Sequence, residues 1–208
     1  GRSIRVLDLG VGANCIFPII GVAEYGWRFV GAELNPVAFK SAKGIAAFNK
    51  TLQRNVEIRM QKAAGVYLHN IIRPNDYFDL LVCNPPFYKS EEEADQHAMR
   101  KIKNLSKGKN NSKIMNFGGE EHELITEQGE FGFINGLIEE SALYPTRVFW
   151  YTTLVSNAKH LSQFYKKLKD NKVQVYKTIE MKQGNKISRI LAWTFLKPKE
   201  QKKWNFEA

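Results

Sequence analysis

Ile4-Arg5-Val6-Leu7-Asp8-Leu9 is a short apolar run that passes directly into Gly10-Val11-Gly12-Ala13-Asn14, and the reading of that junction decides the fold. The run suits a buried strand; the glycines permit a tight turn and let a ligand approach the backbone closely. A helical stretch follows over residues 15–25, and residues 27–33 read as a second strand. Pro36 suits the first turn of another helix, which reaches about residue 50. Val56-Glu57-Ile58-Arg59-Met60 alternates as a third strand, a weaker helical segment covers 64–71, and Leu80-Leu81-Val82-Cys83 is a fourth strand. Strands alternating with helices imply a parallel, doubly wound α/β sheet.

The glycine turn after strand one, with Glu33 at the end of strand two about 25 residues beyond Asp8, is a nucleoside-binding arrangement. Glu33 suits hydrogen bonds from ribose hydroxyls. Residues 14–17 contain no third glycine, so the pattern is Asp-x-Gly-x-Gly rather than G-x-G-x-x-G. That form suits a cofactor without a pyrophosphate, such as S-adenosylmethionine, better than a dinucleotide. Asp8, Gly10, Gly12, Ala13, Asn14 and Glu33 are therefore candidate cofactor residues. The competing reading is a tight βα turn with a solvated acid.

Strand four stops at Asn84-Pro85-Pro86-Phe87. The prolines lack amide donors and fix φ, and the residue before a proline is held extended. Asn84 is thus pinned at the carboxyl end of a strand, where open α/β sheets bind ligands. An amide oxygen, the Pro85 carbonyl and the Phe87 ring suit a flat heterocycle bearing an exocyclic amine. Asn84, Pro85 and Phe87 are the candidate catalytic residues, and Asn84 also adjoins the cofactor. Against this stands a plain turn after a core strand, with Phe87 tucked inside.

Residues 88–129 form a long connection without a strong strand. It carries Arg100, Lys101, Lys103, Lys107, Lys109 and Lys113 with no acid among them. This basic substrate loop suits a phosphate backbone; the alternative is a solvated loop. Beyond it, Phe131, Ile134, Leu137 and Ile138 mark an amphipathic helix, residues 147–155 a fifth strand, and 159–170 a basic helix. Gln183-Gly184-Asn185-Lys186 joins two further strands as a hairpin. Phe164, Tyr165, Tyr176, Trp193 and Phe195 read as core rather than as stacking plates. The bases beyond Lys159 offer a second surface for RNA.

The 208 residues, 43% hydrophobic and 12% aromatic, suit a single domain spanning the chain and argue against global disorder. No apolar run reaches the ~18 residues of a membrane span, and the start is not a signal peptide. Gly1 lies just before the first strand with no initiator Met, which reads as a fragment whose natural N-terminus has been removed. Cys15 and Cys83 suit reduced core thiols in a cytoplasmic protein better than a disulfide. The histidines (His69, His97, His122 and His160) lack ligand spacing, so no metal is expected. A net charge of +10 and a pI near 9.5 point to an anionic partner, nucleic acid first.

With these pieces placed, the chain resembles the bacterial methyltransferases that modify adenine N6 in 23S ribosomal RNA. It is more distantly similar to their eukaryotic relatives acting on U6 small nuclear RNA and messenger hairpins. The likeness is carried by Asp8 to Ile16, Glu33 and Asn84-Pro85-Pro86-Phe87. It continues in Asn116-Phe117-Gly118-Gly119-Glu120, Phe149-Trp150-Tyr151-Thr152, and the Gln183-Gly184 hairpin through Phe195. It implies a Rossmann-like class I S-adenosylmethionine-dependent fold: a seven-stranded, mostly parallel sheet closed by an antiparallel hairpin. It also implies contacts from Gly10 and its neighbours to the cofactor's methionine part, from Glu33 to its ribose, and from Asn84 and Phe87 to the target adenine. The expected partner is 23S RNA or a ribosome-assembly intermediate. Two departures stand out. The family's N-terminal segment is missing, and Gln61-Lys62-Ala63 replaces the acid that often holds the cofactor's adenine amine.

An adenine N6 lone pair is delocalised into the ring, which makes the amine a poor nucleophile. Acceptors at the Asn84 side chain and the Pro85 carbonyl favour a pyramidal nitrogen aimed at the methyl donor, through orientation and electrostatics rather than general-base catalysis. Other readings are adenine-N6 methylation of DNA, protein-glutamine methylation, and an RNA-binding module with a vestigial cofactor site.

Overall fold

The computed structural model describes residues 4–86, 129–184 and 186–204. Its elements run β1 (Arg5–Leu9), α1 (Ile16–Tyr25), β2 (Arg28–Glu33), α2 (Pro36–Phe48), β3 (Val56–Met60) and β4 (Phe78–Cys83). They continue with α3 (Gly129–Ser141), β5 (Val148–Val155), α4 (Leu161–Asp170), β6 (Val175–Gln183), β7 (Lys186–Thr194) and the short α5 (Pro198–Lys202). The described strands form one seven-stranded sheet ordered β3-β2-β1-β4-β5-β7-β6. β1 to β5 pair in parallel, while β7 runs antiparallel to both β5 and β6. This is the α/β plan with a closing hairpin that the alternation implied; Gln183 pairs with Lys186 across the hairpin turn.

α1 begins after a left-handed Cys15, and Asn35 caps α2 by accepting from the amides of Val37 and Ala38. Pro36 occupies its first turn, where a missing N–H removes nothing the helix needs. On one side of the central strands, Leu7, Leu81, Tyr151 and Trp193 pack with Ile134, Leu137 and Ile138 of α3 and Phe164 and Leu168 of α4. Tyr151 and Trp193 stack at 5.5 Å, and Trp193 Nε1 donates to Ser141 Oγ at 3.0 Å. On the other side Val6 and Phe29 pack with Val22 of α1 and Leu52. Phe164 and Trp193 are fully buried, as their reading as core required.

Residues 64–71 are not helical; they fold as successive turns. Gly65 and Asn70 adopt left-handed φ of 75° and 66°, and Glu140 of α3 captures the amides of Tyr67, Leu68 and His69. Those amides are bound to a distant carboxylate instead of helical carbonyls. Below the same segment, buried Arg59 bonds Asp76, which also pairs with Arg5 at 2.8 Å. Burial pushes the Asp76 carboxyl up, but its Arg59 and Arg73 hydrogen bonds and the Arg59 and Arg5 charges outweigh that and hold it below its ordinary value. Cys15 and Cys83 are buried free thiols. No helix among the described residues is long and apolar enough to cross a membrane.

Candidate active site

Sheet register assembles the site. Leu9 is paired with Ala32 on one side and Cys83 on the other. Gly10, Glu33 and Asn84 each follow that row by one residue, so they stand side by side at the carboxyl edge of adjacent strands. Strand spacing of about 4.8 Å makes the row roughly 10 Å long. Gly10, at φ 78°, has open space where a Cβ would project, which leaves its backbone accessible to a ligand. Gly12 is likewise left-handed at φ 65°.

Glu33 is buried, not solvated. Its Oε2 accepts from the Gly12 amide at 2.9 Å, and its Oε1 accepts from Leu34 at 2.8 Å and Asn35 at 2.9 Å. These three bonds lock the glycine turn to the end of β2. The turn is tied further by Gly10 and Val11 amides donating to the Ala32 carbonyl, and by Ser41 Oγ donating to the Ala13 carbonyl at 2.9 Å. Asn14 is exposed beside it. Glu33 thus has a structural duty that its spacing did not disclose.

Asp8 lies one layer below, paired with Gly31 and Val82. It is 1% exposed, and neither side-chain oxygen has a hydrogen-bond partner among the described residues. Burial first, and the Glu33 charge second, push its carboxyl from an ordinary 3.8 up to about 8. Burial, with the charges of Asp8 and Glu33, also pushes the Cys15 thiol to about 11.

Asn84 is exposed at the end of β4, while Pro85 is buried and Pro86 half-buried. The prolines therefore anchor the turn and leave the amide outward. Thr152 Oγ1 of β5 fastens the strand by donating to the Leu81 carbonyl at 2.7 Å. Phe87, Arg100, Lys101, Lys103, Lys107, Lys109 and Lys113 lie outside the described residues, as does the segment Asn116 to Glu120.

Gln61 is buried after β3. Its Nε2 donates to the His69 carbonyl at 3.1 Å, and its Oε1 accepts from Lys62 at 2.8 Å and Ala63 at 3.2 Å. It closes the turn on itself rather than offering a side chain outward. Two further acids were not singled out from the sequence. Glu140 holds residues 67–69 as described, and buried Glu130 of α3 accepts from the Ser156 and Asn157 amides just past β5. Glu140 follows the apolar Leu137 by three residues and Glu130 precedes the apolar Ile134 by four, spacings that place both toward the packed face.

A sheet in this order, with a glycine turn, an acid and an asparagine along one edge, is the Rossmann-like methyltransferase fold. The sequence matches the RNA methyltransferase family over residues 1–197, and the chain belongs to that family. It is 47% identical over 195 residues to ribosomal RNA large subunit methyltransferase F of Bacteroides fragilis, covering 93% of this chain and 64% of that protein. It is 43% identical over 208 residues to the enzyme of the same name from Serratia proteamaculans, covering 100% of this chain and 62% of that protein. The chain thus spans slightly less than two thirds of the curated relatives it matches. Among solved structures, the human METTL16 catalytic domain in complex with MAT2A 3′UTR hairpin 1 is 26% identical, with a TM-score of 0.73 over 94% of this chain and 65% of that one. The N-terminal domain of human METTL16 in complex with SAH shares the fold at 23% identity and TM-score 0.68, over 94% of this chain and 62% of that one.

Proposed function

We propose that this protein transfers a methyl group from S-adenosylmethionine to the N6 amine of one adenine in 23S ribosomal RNA. The observation that carries the reading is the single row of Glu33, Gly10 and exposed Asn84. It puts a nucleoside-binding acid, an open backbone turn and an amine acceptor within one ligand's length. Kinship to proteins named ribosomal RNA large subunit methyltransferase F supports the substrate, as does a METTL16 structure holding an RNA hairpin. A net charge of +10 supports a polyanionic partner, in keeping with action in the cytoplasm on free RNA or an assembly intermediate.

The pocket's chemistry fits the cofactor. Asp8 is a buried carboxyl with no donor among the described residues, and the ammonium of the cofactor's amino-acid end supplies what it lacks. Gly10, Gly12 and Ala13 would hold that end through backbone groups, with Asn14 beside them, and Glu33 would take one ribose hydroxyl on the Oε2 lone pair that its three backbone bonds leave. When bound, the cofactor supplies an electrophilic methyl on a sulfonium. Asn84 Oδ1 and the Pro85 carbonyl each accept one N6–H and hold the amine lone pair toward it. No strong base is required, because the methylated amine sheds its proton after transfer. Phe87 would stack on the flipped base, a contact worth about 1–3 kcal/mol. The basic residues Arg100, Lys101, Lys103, Lys107, Lys109 and Lys113 would bind phosphates.

Tritiated-methyl transfer to unmodified 23S RNA, DNA and a release-factor protein tests the assignment. Label in RNA adenine supports it, and label confined to DNA or protein overturns it. Asn84→Ala should abolish transfer while S-adenosylmethionine still binds; wild-type transfer by that variant removes Asn84 from the mechanism.

A further inference from the structure

We propose that cofactor uptake is coupled to release of one proton from Asp8: the carboxyl is neutral in the ligand-free protein and ionises when the ammonium of the cofactor's methionine end reaches it. This rests on reading the row at the sheet edge as the S-adenosylmethionine pocket. The geometry behind it is a carboxyl buried at the register level immediately beneath the ligand row, both oxygens lacking a donor among the described residues. The groups facing it among the described residues are Glu33 from β2, Cys15 from the turn before α1, and Cys83 from β4. None is a cation. Glu33 is another acid whose oxygens accept three backbone N–H bonds. Both thiols are pushed further up by burial, Cys15 to about 11 and Cys83 beyond it, so neither titrates near neutrality.

An ionised carboxylate in such a place is costly without a partner, so the ligand-free group keeps its proton. The balance is simple. Asp8 carboxylic acid and the cofactor's ammonium combine as a carboxylate–ammonium pair, and one proton leaves to solvent. With the carboxyl at about 8, binding at pH 7 should release about 0.9 proton, provided the bound pair lies well below 7.

Calorimetry of S-adenosylmethionine binding in phosphate and in Tris, whose protonation enthalpies differ, counts that proton directly. The expected result is about 0.9 proton released by the wild type at pH 7. Kd should tighten toward tenfold per pH unit between pH 6 and about 7.5. S-adenosylhomocysteine, which keeps the ammonium but not the sulfonium charge, should release the same proton. 5′-Methylthioadenosine, which lacks the ammonium, should release none. Asp8→Asn should bind the cofactor more weakly, and the binding that remains should release no proton. Binding by the wild type without proton release, or equal release by Asp8→Asn, overturns the coupling and leaves the pocket assignment standing. Failure of the wild type to bind S-adenosylmethionine at all overturns the pocket assignment and the coupling with it. The ligand comparison needs only wild-type protein, so it decides the matter even if the variant does not fold.

Discussion

Replacing Asp8 with asparagine should flatten the pH dependence of folding stability in the protein without ligand. The folded-state carboxyl stands at about 8 against an ordinary 3.8. Below about pH 4 the acid is neutral in both states, and its stabilising protonation is fully present. Between there and about pH 8 only the unfolded chain ionises it, so each added pH unit lowers folding stability by about 1.4 kcal/mol. By pH 7 the accumulated loss is roughly 4 kcal/mol, and above about pH 8 it stops growing. An asparagine carries no such linkage; its buried amide instead imposes a pH-independent penalty of about 1–3 kcal/mol. Urea unfolding of both proteins by circular dichroism at pH 5, 6, 7 and 8 isolates the effect as the difference between two curves. The wild-type curve should fall relative to the variant's throughout that range. Parallel curves would refute the claim that the buried Asp8 carboxyl is held neutral in the fold.

Asp76→Ala removes one of the two carboxylates that hold buried Arg59, leaving Glu57, and should lower stability by about 1–3 kcal/mol in urea at pH 7. Because the Asp76 carboxyl is held below its ordinary 3.8 in the fold, its contribution is present above that value and shrinks as pH falls below it, so the gap between the two proteins should narrow in acid. Gly136→Ala drives a Cβ to 2.6 Å from Tyr67 Cε2; about 1–3 kcal/mol of overpacking should appear as a lower Tm. Glu140→Ala strands the amides of Tyr67, Leu68 and His69, whose hydrogen exchange should accelerate well before that of β1.

Most of the element order was legible because hydrophobic runs, glycines and prolines act locally. The run ending at Cys83 and the turn after Leu9 needed no tertiary information to be placed. What the sequence concealed was long-range. Residues 64–71 carry a helical pattern, but their amides are taken by Glu140, which lies more than 70 residues away. The duty of Glu33 as a lock on the glycine turn, and the isolation of Asp8, become visible only when β2 and β4 are set against β1. Asn84 was read from its prolines alone, and its alignment with Gly10 and Glu33 follows from register, which periodicity does not specify.

Helix α3 carries Glu130 and Glu140 at opposite ends, ten residues apart in sequence, or about 15 Å along the axis. One carboxylate grips the backbone beyond β5 and the other grips the turns that follow β3. The helix therefore behaves as a splint across the sheet. A tilt of its axis cannot loosen one grip without straining the other, so thermal opening of residues 67–69 and 156–157 should occur in concert.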